Sequence, residues 1–99
     1  MTYDEFILSI ENDDQAPGMS IYLLALWWDA KGDWRKAHSL VDDLEEPAGC
    51  WVHAYLHRKE GDISNADYWY RKAQRQRPAV TLQEEWQCLL RNYLLPEIL

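Results

Sequence analysis

The chain contains little glycine and proline, with four residues of each among 99. Because the glycines are dispersed, the sequence offers neither a glycine-rich loop for phosphate nor a GxSxG nucleophile elbow. Long apolar runs are also missing: the longest, residues 21–28, is far shorter than the roughly 20 residues of a membrane-spanning helix. The first residues carry acidic side chains and no basic stretch, so no signal peptide is expected. These absences predict a cytoplasmic protein without a membrane segment.

Cysteine and positive charge are scarce as well. Cys50 and Cys88 form no CxxC pair and are expected to be reduced thiols. The net charge is −7, and residues 1–50 hold 11 acidic side chains against 3 basic ones. Because an acidic domain repels phosphate backbones, nucleic acid is not expected as a partner. The basic run within residues 71–77 is typical of the last turns of a helix, where cations offset the helix dipole.

Large aromatic residues, by contrast, are abundant, with six Trp and six Tyr against one Phe. Hydrophobic residues make up 47% of the sequence and charged residues 27%, a composition typical of a globular protein. The length favours a single domain over residues 1–99. Trp and Tyr fill cores, but their N–H and O–H groups need partners, and both are frequent at protein interfaces. The aromatic surplus therefore favours a binding role.

Apolar residues recur at helical spacing along the chain, and no segment alternates between apolar and polar residues as a strand would. Capping-box patterns begin at Thr2 and Thr81, and glycines at 32 and 61 are typical helix stops. The first four helices are predicted over about residues 3–11, 20–31, 34–45 and 47–60. A fifth is expected to end before Pro78 and a sixth to end at Pro96. The prediction is an all-α fold of about six helices.

An internal repeat organises these helices, since residues 24–44 and 53–73 match at an offset of 29 residues. Each copy is centred on a Gly-Asp pair, at Gly32 and Gly61, followed by an alanine. A period of about 20 to 50 residues is typical of stacked supersecondary units. We therefore expect two antiparallel helical hairpins, over about residues 18–46 and 47–78, with the first and last helices as caps.

This pattern resembles the tetratricopeptide repeat, a helix-turn-helix unit with small residues where its helices touch and a Gly-Asp turn between them. The second unit matches better. Its small residues are Ala54, Ala66 and Ala73, its turn is Gly61-Asp62, its aromatic position is Tyr70 and its proline is Pro78. Two departures are visible, because the period is 29 residues rather than the family's 34 and two units are present. The resemblance implies a module that binds a protein or peptide on the concave face formed by the first helix of each hairpin.

Along that predicted groove on the second and fourth helices, the candidate binding residues are Trp28, His53, Tyr55, His57 and Arg58. The expected partner is a protein or peptide, and self-association as a homodimer is one form this can take. No catalytic residue and no cofactor is predicted under this hypothesis.

The alternative hypothesis is a metal-binding protein or a small metal-dependent enzyme. Residues four apart lie on one helical face, so His53 and His57 are neighbours, and Glu60 extends the same row. Two imidazoles and a carboxylate resemble the ligand sets of zinc and non-haem iron sites. The row therefore predicts a site for one divalent transition metal such as zinc, with His38 and Asp67 as candidate further ligands.

A structural role for both histidines is the competing interpretation. In the repeat, His53 takes the place of Leu24 and His57 that of Trp28, positions that normally pack between helices. A buried polar group without a partner costs roughly 1–3 kcal/mol, so we expect hydrogen-bond partners such as Tyr or Glu for both rings. Cys50 precedes His53 on a neighbouring helical position and offers a further alternative, a thiolate–imidazole pair.

Overall fold

The computed structural model describes residues 1–15 and 18–94, and within them the backbone forms six α-helices and no strand. The helices are α1 (Tyr3–Glu11), α2 (Ile21–Ala30), α3 (Trp34–Val41), α4 (Pro47–Glu60), α5 (Ile63–Lys72) and α6 (Leu82–Leu94). The predicted all-α fold with six helices is confirmed. The predicted stop at Pro96 lies outside the described residues. None of the described helices combines the length and the apolar character needed to cross a membrane.

Side chains at the helix starts explain where the helices begin. Thr2 and Glu5 form the predicted capping box, in which the Thr2 hydroxyl accepts from the Glu5 N–H and the Glu5 carboxylate accepts from the Thr2 N–H. The same box precedes α6. Asp33 and Asp62 cap α3 and α5 by accepting a backbone N–H in the first turn. The starts of these four helices thus follow from local hydrogen bonds, whereas α4 begins at Pro47 without a side-chain cap.

The two glycines of the repeat end their helices with left-handed backbone. Gly32 has φ +89° and Gly61 has φ +93°, a region that glycine adopts without steric strain. At the Gly61-Asp62 turn, the Asp62 N–H donates back to the His57 carbonyl at 3.0 Å, so one of the last carbonyls of α4 has a hydrogen-bond partner. Both stops predicted from the sequence are therefore present.

The end of α3 differs from the prediction, because the helix stops at Val41 rather than near residue 45. The Leu44 N–H bonds to the Val41 carbonyl at 3.1 Å, which turns the chain out of the helix. Leu44 then packs so closely over Gly49 in α4 that a Cβ atom on this glycine would lie 2.6 Å from the Leu44 Cβ. Leu44 fits the apolar spacing of α3 in the sequence, but it lies in the turn after the helix, where it packs against the core.

The helices pack as two hairpins, since α2 lies along α3 and α4 lies along α5. α3 also packs on α4, which joins the two hairpins, and α6 contacts both α2 and α4. The Trp86 indole N–H donates to the Leu26 carbonyl on α2 at 3.2 Å. The Tyr93 hydroxyl donates to the Ala48 carbonyl on α4 at 2.7 Å. α6 therefore lies against the same two helices on which the sequence places a peptide groove.

A buried carboxylate fixes α6 to α4 and α5. Glu85 accepts from the Trp51 indole at 3.2 Å, from the Tyr70 hydroxyl at 2.7 Å and from the Arg58 guanidinium at 2.8 Å. A buried charge is tolerated only when it is paired and hydrogen-bonded, and Glu85 meets both conditions. The network joins α6 to α4 and α5. Residues 49–57 of α4 are all buried, so α4 is the central helix of the fold.

Candidate functional site

Three histidine side chains meet where α3 packs on α4. The buried rings of His53 and His57 are neighbours on one face of α4, with centroids 4.8 Å apart. His38, on α3, places its Nε2 atom 3.1 Å from the Nε2 atom of His53. One ring nitrogen from each of the three residues lies within 4.8 Å of the other two. We call these three residues the histidine cluster.

Two tryptophans hold rings of the histidine cluster in place. Trp34, one turn before His38 on α3, stacks on that ring with centroids 4.8 Å apart and planes at 10°. Its indole N–H donates to the Leu56 carbonyl on α4 at 2.8 Å, which fixes the position of the indole. Trp69 on α5 stacks on His53 with centroids 4.0 Å apart and planes at 22°. These contacts restrict rotation of two imidazoles, so the cluster is preorganised.

His57 has a polar neighbour at each ring nitrogen. Its Nδ1 atom lies 2.7 Å from the Glu60 Oε2 atom, and because a carboxylate only accepts, the Nδ1–H group donates. In the neutral ring this leaves a lone pair on Nε2, and the Nδ2 atom of Asn65 lies 3.4 Å from it. The acceptor nitrogen of His57 is therefore Nε2.

His53 is less well satisfied than His57. Its Nε2 atom faces the Nε2 atom of His38, so one of the two donates and the other accepts. Its Nδ1 atom is buried and has no hydrogen-bond partner among the described residues. The expected Tyr or Glu partner is thus present for His57, as Glu60, but not for His53. Such an unpaired buried atom costs about 1–3 kcal/mol.

The protein environment favours the uncharged form of the His38 and His53 rings. Burial, followed by the charges that His38 and His57 would carry, lowers the pKa of His53 from 6.5 to about 3. Burial and the neighbouring His57 also lower the pKa of His38. Neutral imidazoles retain the lone pairs that a metal ion requires, so at neutral pH both rings are competent ligands.

A surface depression leads to the histidine cluster. It has a volume of about 610 Å³ and is lined by Trp34, Arg35, His38 and Glu60. His38 belongs both to this depression and to the cluster, so its half-buried ring connects the buried nitrogens with the surface. A small molecule or ion can therefore approach the cluster from this side.

The side chains of the other predicted binding residues contact partners outside the cluster. Tyr55 is buried, and its hydroxyl donates to Asp29 on α2 at 3.0 Å. Arg58 donates to Glu85 on α6 at 2.8 Å. Trp28 packs edge-on against the preceding indole of α2, with centroids 5.1 Å apart. Of the five residues proposed as one binding surface, the structure brings together only the two histidines of α4.

The predicted metal row is also rearranged. Glu60 lies beside His57 and forms, with Asp62, a second group of close donor atoms that does not include His53. His38 takes the place of Glu60 in the group that contains both histidines of α4. The sequence places His38 among the candidate ligands without a distance, and the packing of α3 on α4 supplies that distance.

Two further candidates have structural partners. Asp67 forms a salt bridge with Arg77 at 2.8 Å. Arg77 belongs to the basic run within residues 71–77, so this salt bridge pairs one cation of that run. Cys50 is buried, and its Sγ atom lies 3.7 Å from the Leu44 carbonyl. Burial raises the pKa of the Cys50 thiol, and a raised pKa disfavours the reactive thiolate. These contacts do not support the thiolate–imidazole alternative.

Three residues around the cluster are missing from the sequence-based prediction. Trp34 could have been found, because it lies four residues before His38 and therefore on the same helical face. Trp69 and Asn65 carry no such signal, since both reach the cluster from α5 through tertiary packing.

Comparison of the chain with protein-family models, with curated proteins and with solved structures finds no match. The functional interpretation therefore depends on the geometry of the histidine cluster itself.

Proposed function

We propose that this protein binds a divalent transition metal ion, such as zinc, through the histidine cluster. The observation that carries the proposal is the convergence of His38, His53 and His57, whose ring nitrogens lie within 4.8 Å of one another. Three imidazoles are a ligand set well suited to zinc and related ions.

The distances in the cluster are close to those of a metal site. A tetrahedral zinc ion with nitrogen ligands at about 2.0–2.1 Å places neighbouring nitrogens about 3.3–3.4 Å apart. The Nε2 atoms of His38 and His53 are 3.1 Å apart, so they need to separate by only a few tenths of an ångström. The nitrogen of His57 lies within 4.8 Å of both and has to approach by at most about 1.5 Å. Small side-chain rotations supply movements of this size.

Glu60 supports this arrangement without being a ligand. Metal-binding histidines usually donate their second ring N–H to a carboxylate or carbonyl, which orients the ring and raises its basicity. Glu60 accepts from the Nδ1–H group of His57 at 2.7 Å, which leaves Nε2 for the ion. The carboxylate placed in the metal row by the sequence is thus proposed to orient a ligand.

Metal analysis of tag-free protein tests the proposal. After dialysis against zinc and removal of free ion, about one ion per chain is expected, and added zinc should raise the Tm of chelator-treated protein. His38→Ala and His57→Ala each remove a ligand and should lose the ion, with circular dichroism checking that the variants are folded. Cys88→Ser alters an exposed thiol outside the cluster and should retain it. Chelator-treated protein that takes up no zinc and shows no Tm change would refute the proposal.

The binding of a protein or peptide implied by the repeat resemblance stays a prediction, as do a homodimeric state and a cytoplasmic location. A peptide groove along α2 and α4 would have to share these helices with α6, which contacts both. The proposed function therefore concerns the histidine cluster, where the donor atoms converge.

A further inference from the structure

We infer that the metal ion in the histidine cluster keeps one coordination position for a small anionic oxygen ligand, a carboxylate being the simplest case. This ligand enters from the depression beside Arg35. The inference rests on the metal-binding function proposed above and names the chemical class of the molecule that the site takes.

The first argument is the number of protein ligands. Zinc sites that serve a structural role use four protein ligands, whereas sites that act on other molecules use three and keep a position for an external ligand. In the part of the chain that the structure describes, no Cys, Asp or Glu atom joins the donor group of His38, His53 and His57. Glu60 is held on the Nδ1 side of His57, away from the nitrogen that would bind the ion. The described residues therefore provide three ligands.

The second argument is charge. Three neutral imidazoles bring no negative charge to the doubly charged ion, so an anion is favoured over a neutral molecule at the fourth position. Arg35 lines the approach and has no carboxylate within 4.0 Å among the described residues. Glu60 also lines this approach, but one of its oxygens is engaged by His57. A guanidinium can bind a second oxygen of a planar carboxylate while the first binds the ion.

The third argument is a donor beside the ion position. The Nδ2 atom of Asn65 lies 3.4 Å from the Nε2 atom of His57 and 3.4 Å from the Oδ2 atom of Asp62, which holds the amide in place. Once Nε2 binds an ion, it no longer accepts a hydrogen bond from this amide. The amide N–H is then available to donate to an oxygen atom bound to the ion.

Cobalt-substituted protein provides the test, because Co²⁺ accepts the ligands and geometry of zinc and its visible absorption reports changes in coordination. Titration with sodium acetate, at an ionic strength held constant with perchlorate, is expected to change the spectrum saturably. Arg35→Ala should weaken acetate binding about tenfold, the effect of losing one charge-assisted hydrogen bond, without changing the cobalt content. The matched control is Arg91→Ala, which removes an arginine stacked on Tyr3 and should leave acetate affinity unchanged.

The possible results separate the two proposals. Cobalt binding without any spectral response to acetate would overturn the inference and leave metal binding intact. Equal weakening by Arg35→Ala and Arg91→Ala would overturn the assigned entry route. Failure of Co²⁺ to bind would overturn the proposed function and the inference together.

Discussion

Replacing His53 by glutamine should remove about 2 kcal/mol of the stability that the metal-free fold loses between about pH 7.5 and about pH 5. His53 is 3% exposed, and burial together with the adjacent His38 and His57 lowers its pKa from 6.5 to about 3. In the unfolded chain the same ring regains its ordinary pKa. The two states therefore bind different numbers of protons over this interval.

The sign and size of the effect follow from that difference. Below pH 6.5 the unfolded chain protonates His53, while the folded protein keeps it neutral down to about pH 3. Lowering the pH therefore favours the unfolded state, by about 1.4 kcal/mol for each pH unit below 6.5. At pH 5 the loss from this one group is about 2 kcal/mol relative to pH 7.5. Glu46 and Glu84, whose pKa values are lowered from 4.5, titrate below this interval.

Urea denaturation followed by tryptophan fluorescence, in the presence of a chelator, measures this loss. The wild-type free energy of unfolding should fall by about 2 kcal/mol more than that of His53→Gln between the two pH values. Because each protein is compared with itself at two pH values, a general destabilisation by the substitution cancels. An equal pH dependence of the two proteins would show that His53 is not held neutral by burial, and the reasoning would fail.

Two further predictions concern the packing that supports the site. Glu85→Ala should lower the free energy of unfolding by about 3–5 kcal/mol, because it leaves the buried Tyr70 hydroxyl and Trp51 indole without their acceptor and removes the carboxylate partner of the partly buried Arg58; urea denaturation measures this, and a loss no larger than that of the exposed cap variant Glu84→Ala would contradict it. Gly49→Ala should cost about 1–3 kcal/mol, because the new Cβ atom would lie 2.6 Å from the Cβ atom of Leu44. A Tm unchanged from wild type in thermal denaturation would argue against this close contact.

The helices could be predicted well because their signals are local. The Thr2–Glu5 box and the left-handed turn at Gly61 involve groups within a few residues of one another, so they act independently of tertiary contacts. The end of α3 could not be predicted in the same way. Leu44 fits the apolar spacing of a helix, but it lies in the turn after α3, where it packs closely over Gly49.

In the histidine cluster, too, the local contacts could be predicted from the sequence and the tertiary contacts could not. His53 and His57 share a face because helix geometry brings residues four apart together, and the sequence alone predicts this. Their third partner is His38, 15 residues from His53 along the chain, and no local pattern sets the distance between them. The sequence favours Glu60 instead, since it lies on the same row, yet the structure shows it as the hydrogen-bond partner of His57.

By itself, then, the sequence determined which residues share a helical face, such as the histidine pair of α4. It also determined where α2 and α4 end, through the glycines that follow them. The tertiary structure alone decided which faces meet: α3 against α4, which completes the histidine cluster, and α6 against α2 and α4, which covers helices assigned to a peptide groove. The physical reason is that an intrahelical spacing is set by the backbone hydrogen bonds of a few residues. The docking of two helices depends on the apolar burial and shape of many side chains distant in sequence.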